Sequence, residues 1–180
     1  MNIFVFLADG FEEIEALAPI DIFRRAGIKT TSVSISDTKV VKGAHDILVV
    51  ADILFQEADF SGDQLLFLPG GMPGTTHLNA HQGLKDLLTV QAHKAGKIAA
   101  ICAAPSVLGE LGLLQDIEVI CYPGFESQLN GAIISSKEIV FSDSIFTAKA
   151  AGVAIPFALK MVELIKGEDV AKKLSASIYF

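Results

Sequence analysis

The chain has 180 residues, 51% of them hydrophobic and 19% charged, which is enough for one domain with a sizeable core and too apolar for a disordered segment. Fourteen Lys and Arg against 21 Asp and Glu leave a net charge of −7, which repels phosphate backbones and argues against nucleic acid as the main partner. No apolar run reaches the roughly 18–20 residues of a membrane span, so no membrane partner is expected, and two cysteines, Cys102 and Cys121, provide neither a disulfide framework nor a structural zinc site.

Residues 2–8 are apolar on both faces and predict a buried strand. They lack a basic flank and run straight into Asp9-Gly-Phe-Glu-Glu, the wrong charge and length for a signal peptide, so a cytoplasmic location is expected. A helical pattern over 13–26 and a strand over 30–36 follow. Residues 37–56 fit a small antiparallel excursion turning near 42–46. Further on come a strand over 64–68, a helix over 83–95, a strand over 97–102, a helix over 105–112 and a strand over 117–121. Paired strands at 139–142 and 145–148 join around Asp143, a long helix spans about 150–166, and a short one begins at Glu168. The β-α rhythm, with strands apolar on both sides, predicts a doubly wound α/β fold with helices on both faces of a parallel sheet. Without a repeat or a linker, residues 1–180 are expected to form a single domain.

Three strand ends carry chemistry. At Lys97-Ile-Ala-Ala-Ile-Cys102-Ala-Ala-Pro105 a buried strand ends on a cysteine and becomes a helix at once, the geometry of a nucleophile elbow. The helix N-terminus favours thiolate over thiol, and Pro105 suits a first turn. A buried structural cysteine at a strand end fits the same local pattern. At Leu68-Pro-Gly70-Gly71-Met72, adjacent glycines let the backbone turn with N–H groups pointing outward, fit to hold an oxyanion; taken alone, the loop reads as a tight turn. It matches neither G-x-G-x-x-G nor the phosphate-binding loop, so nucleotide binding is unsupported. At Asp9–Glu15 three acids open a helix, which ordinarily complements the dipole. Glu15 shares a face with Ala18 and Ile22 and can point inward, and Pro19 predicts a bend nearby. A carboxyl buried beside a thiolate stays protonated and donates protons near neutral pH. In a doubly wound sheet all three strand ends lie on one rim.

Taken together, Asp9-Gly-Phe-Glu-Glu-Ile-Glu15, Leu68-Pro-Gly-Gly71 and Ala100-Ile-Cys-Ala-Ala-Pro105 resemble the ThiJ/PfpI superfamily over essentially the full chain, most of all its parkinsonism-associated deglycase branch in bacterial form. The resemblance implies a flavodoxin-like, three-layer homodimer that needs no cofactor and no metal. It makes Cys102 the nucleophile, Glu15 its proton donor and acceptor, and the Gly71 and Ala103 amides the oxyanion donors. Gly70 and Tyr122 are expected to contact substrate. The implied activity is conversion of glyoxals or removal of early glycation adducts, on small reactive carbonyls or glycated protein. The alternative is a redox-sensing or chaperone-like stress protein whose Cys102 is oxidised to sulfinate. A thiamine-pathway role finds no phosphate loop.

Two positions depart from the family pattern. Tyr122 stands where the branch containing the human protein has its active-site histidine, so a Cys-His dyad is not expected. Lys149-Ala150-Ala151 replaces the usual Arg-Gly-Pro, which puts anion binding there in doubt. Ala103, in place of histidine or glycine after the cysteine, disfavours the protease and amidotransferase branches. Cys121 reads as a buried small hydrophobe rather than a resolving thiol. His77 and His81 lack a third ligand and read as surface residues, as do His45 in its loop and His93 on its helix.

Overall fold

A computed structural model describes residues 1–180. β1 (Asn2–Leu7) splits its side chains between two cores. Ile3, Val5 and Leu7 enter one, while Phe4, Phe6 and the following Ala8 enter the other. That division is why the segment carries no polar face. α1 (Glu13–Arg25) has Glu13 and Glu15 in its first turn and Arg24 and Arg25 in its last, and it continues across Pro19 as one helix. β2 (Lys29–Ser34) returns parallel to β1. β3 (Val40–Lys42) and β4 (Leu48–Val50) pair antiparallel as the expected excursion, and β5 (Ile53–Leu54) then joins the main sheet.

β6 (Gln64–Leu68) leads into α2 (Gly74–Ala80) and α3 (Gln82–His93). The sequence pattern gave no sign of α2, whose short run starts on glycine. β7 (Lys97–Ile101) precedes α4 (Pro105–Glu110), with Pro105 in its first turn where no donor is needed. The strand expected over 117–121 shrinks to β8 (Glu118–Val119), which pairs with β9 (Ile133–Ile134) in a sheet of their own. Beyond it the Ile120 N–H is taken by Thr147 Oγ1 at 2.9 Å, which ends the ladder. β10 (Ile139–Ser142) and β11 (Ile145–Ala148) form the expected pair. The long final helix starts late, as α5 (Ala154–Lys166), because Ala151–Val153 form a separate 3-10 turn. α6 (Glu168–Ser177) runs for 10 residues.

The main sheet has the order β10-β11-β7-β6-β1-β2-β5, parallel except for β10. Within it β2-β1-β6-β7-β11 is the flavodoxin-like order, whose direction reverses between β1 and β6. One core packs Phe23 of α1 and Phe157 of α5 on the sheet, and the other packs Leu84 of α3 and Val107 of α4 on its opposite face. The three layers expected from the sequence are therefore present. No helix is long and apolar enough to cross a membrane.

Candidate active site

The carboxyl ends of β1, β6 and β7 meet at the reversal point, where open α/β sheets bind ligands. Cys102, directly after β7, has φ of 65°. This left-handed conformation is rare for a side-chain-bearing residue and throws the thiol above the strand end. Its peptide groups are fixed on both sides: the Cys102 N–H donates to the Ala148 carbonyl at 2.9 Å, and its carbonyl accepts from the Tyr122 N–H at 2.8 Å. The elbow expected from the sequence is thus formed.

Glu15 is 1% exposed, so the inward face read from its spacing with Ile22 holds. One carboxylate oxygen accepts the Gly70 N–H at 2.9 Å, and the carboxyl also hydrogen-bonds the Cys102 thiol. Gly70 has room for no side chain: a Cβ would lie 2.6 Å from Glu15 Oε2 and 2.7 Å from the Cys102 Cβ. Gly71 has φ of 93°, and a Cβ there would meet the Glu12 backbone nitrogen at 2.3 Å. This conformation lets the Gly71 amide face the sulfur. The Ala103 amide faces it too, and neither N–H is used in a backbone hydrogen bond. Two donors therefore sit where an oxygen on an atom bonded to Sγ would lie.

Burial pushes the Glu15 carboxyl up to about 7, against the hydrogen bonds that favour its ionised form. The thiol does not show the lowering that the helix N-terminus alone predicts. Burial first, and then the charge and hydrogen bond of an ionised Glu15, push Cys102 up to about 12, while the Ala103 and Gly71 amides pull the other way. The dipole of α4, only six residues long, is outweighed by desolvation and a neighbouring carboxylate. Both groups rise chiefly because burial penalises their charged forms, while the hydrogen bond between them lowers the carboxyl and raises the thiol.

Above this pair opens a cavity of about 340 Å³. Its wall includes Glu12, Glu15, Gly71, Cys102, Ala103, Met72, Tyr122, Phe125 and the 150–152 segment. Tyr122 lies on the wall, half exposed. Gly70 does not: it is buried below, with its amide committed to Glu15, and so it positions the acid. Lys149 is also off the wall, and the smaller 150–152 segment supplies that side through Ala150, Ala151 and Gly152. Cys121 is 1% exposed, as expected of a small hydrophobe, and burial pushes its thiol up to about 11.

The partner of His45 has no signal in the sequence pattern. Its N–H and Nδ1 both lie 2.8 Å from the buried Glu13 carboxylate, clamping the β3–β4 hairpin to the start of α1. The contact raises the imidazole pKa, chiefly through the Glu13 hydrogen bond. It also lowers the Glu13 carboxyl, the hydrogen bonds from His45 outweighing burial. With Glu12 the cluster holds three ligand atoms within 4.8 Å, a spacing that also suits a metal ion. In the structure the shortest of these contacts is a hydrogen bond.

Residues 1–164 match the model of the DJ-1/PfpI family. The chain is 33% identical to fruit-fly (Drosophila melanogaster) Protein DJ-1alpha over 180 residues, covering 98% of this chain and 83% of that one. It is 31% identical to the glutathione-independent glyoxalase DJR-1.2 of Caenorhabditis elegans, covering 91% and 87%. The oxidized DJ-1 of Toxoplasma gondii superposes with a TM-score of 0.94 at 34% identity, over 99% of this chain and 98% of that one. With the family model matching residues 1–164 and relatives above 30% identity covering most of both chains, the chain belongs to the DJ-1/PfpI family.

Proposed function

We propose that the protein is a cysteine-dependent enzyme acting on small reactive carbonyls, of glyoxalase or deglycase type, with Cys102 as nucleophile and no cofactor. The observation that carries this reading is the Glu15–Cys102 hydrogen bond at the floor of a cavity bearing two uncommitted amides. Similarity to a relative named as a glutathione-independent glyoxalase supports it.

With methylglyoxal the steps balance as an internal redox reaction. Glu15 takes the thiol proton as Sγ bonds to the aldehyde carbon, then gives that proton to the aldehyde oxygen, leaving a hemithioacetal. The ionised Glu15 removes the hydrogen from that carbon and returns it to the neighbouring ketone carbon, while the hydroxyl proton passes to the ketone oxygen. The first carbon is oxidised to a thioester and the second reduced to an alcohol. The Gly71 and Ala103 amides hold the oxygen on the sulfur-bearing carbon as charge develops. Water then cleaves the thioester, giving lactate and the free thiol. A carboxyl with a value near 7 suits both directions of transfer.

The test is lactate formation from methylglyoxal by the wild-type protein and by Cys102→Ser, metal-free and without glutathione. Lactate from the wild type alone supports the mechanism, and equal rates overturn it. A second reading, redox sensing or a chaperone-like role through sulfinate at Cys102, draws on the same amides, which would hold the sulfinate oxygens, and on the oxidized form of the Toxoplasma relative. Selective gain of two oxygens at Cys102 under mild peroxide, read by mass spectrometry, supports it. Assembly as a homodimer belongs to the same proposal. Ile14 beside the hairpin, with Ile47, Leu48 and Val50 on it, is more than half exposed and offers an apolar face, and light scattering gives the mass.

A further inference from the structure

The cavity wall contains no lysine, arginine or histidine. Its acidic side chains are Glu15 at the thiol and Glu12 toward the mouth. Glu12 is 3.7 Å from His45 Nδ1, but that imidazole is already bonded to Glu13 at 2.8 Å, so two carboxylates face one exposed ring. The one cation in the adjoining stretch, Lys149, does not reach the wall. The remaining lining is Met72, Phe125, Tyr122 and small residues; the Gly71 and Ala103 amides are aimed at the sulfur, and the free Tyr122 hydroxyl is a neutral donor. A substrate's reacting oxygen finds donors here, whereas a second, anionic group finds no cation and meets the Glu12 carboxylate instead.

We infer that the site selects electrophiles without a carboxylate or phosphate, and that Glu12 is a specificity-determining residue which repels anionic substrates. The inference names the substrate class of the proposed enzyme and rests on that reading for turnover. The charge preference itself is a property of the cavity and can be read on the thiol alone. In a partly desolvated site one unit charge several ångströms away is worth about ten-fold in relative rate, falling with added salt.

The probe pair is iodoacetamide and iodoacetate, which differ in charge and little in size. In each the thiolate displaces iodide as the S–C bond forms, and mass spectrometry follows modification of Cys102. The iodoacetate-to-iodoacetamide rate ratio is expected to be about ten-fold lower at Cys102 than for free N-acetylcysteine at low salt. Glu12→Gln should move it several-fold toward the free-thiol value, and Tyr122→Arg, at a half-exposed wall position, should move it further. A wild-type ratio equal to that of the free thiol, or one that neither variant shifts, overturns the inference.

Turnover is compared in parallel between methylglyoxal and the anionic 2-oxoaldehyde 4,5-dioxopentanoate. Preference for methylglyoxal that weakens in Glu12→Gln supports the inference. Equal turnover of both in the wild type overturns it while leaving the proposed enzyme standing. A charge-selective thiol that turns over neither compound supports the inference and overturns the proposed enzyme instead.

Discussion

Replacing Glu15 with glutamine should abolish turnover and yet make the protein more stable at alkaline pH. The carboxyl is 1% exposed and its value rises from 4.5 to about 7 on folding. A raised acid favours folding in its protonated form, so its contribution is complete below about pH 4.5 and is lost as the pH climbs through about 7. The loss amounts to about 3 kcal/mol at pH 8 and under about 1 kcal/mol at pH 5. Glutamine keeps an oxygen for the Gly70 N–H and carries no charge, so this cost disappears. Cys102 adds little at pH 8, because both its ordinary value of 9.0 and its raised value of about 12 lie above that pH. Urea unfolding of both proteins at pH 5 and pH 8 should therefore show a gain for Glu15→Gln that is larger at pH 8 by about 2 kcal/mol, or a Tm gain of roughly 6–10 °C at pH 8. A gain of the same size at both pH values, or none at pH 8, would refute the claim that Glu15 is held protonated by burial.

Gly70→Ala should cost about 1–3 kcal/mol and most of the activity, because the new methyl would also sit 2.9 Å from the fixed Ile101 carbonyl; thermal melts and the lactate assay read both losses. Glu13→Ala should lower global stability by only about 1 kcal/mol while deprotecting residues 40–50 in amide hydrogen exchange, since it frees the hairpin from α1. Tyr122→Phe should change turnover by less than about three-fold, as no protein group bonds its hydroxyl; a loss beyond about ten-fold in the same assay would show the phenol acting on the substrate.

The fold was readable because its signals are local. Phe4-Val-Phe-Leu and Ile98-Ala-Ala-Ile are apolar on both faces, and only a sheet covered on both sides calls for that. The hairpin and the β10–β11 pair announce themselves by short apolar runs around polar turns. β8 and α2 were less legible for the same reason. The ladder of β8 is ended by Thr147, 27 residues away, and α2 begins in a glycine loop whose backbone, not its side chains, sets the helix.

The site divides along the same line, and its one electrostatic error shows where local reading fails. The inward face of Glu15 followed from helical spacing, and the elbow from a strand ending on Cys102 before Pro105. The thiol's state did not follow, because the helix-terminus argument counts one dipole on the cysteine's own element. Burial decides it first, joined by a carboxyl that arrives from α1, 87 residues earlier in the chain, and both are seen only once β1 and β7 place the two side chains beside Gly70. The Glu13–His45 clamp, 32 residues apart, escaped for the same reason. In both cases the side chains could be named from sequence, whereas their protonation states belong to the pairings that the fold creates. Catalysis here would depend on those pairings: a thiol raised by its own proton acceptor reacts only when that acceptor takes the proton, so Cys102 and Glu15 form one functional unit.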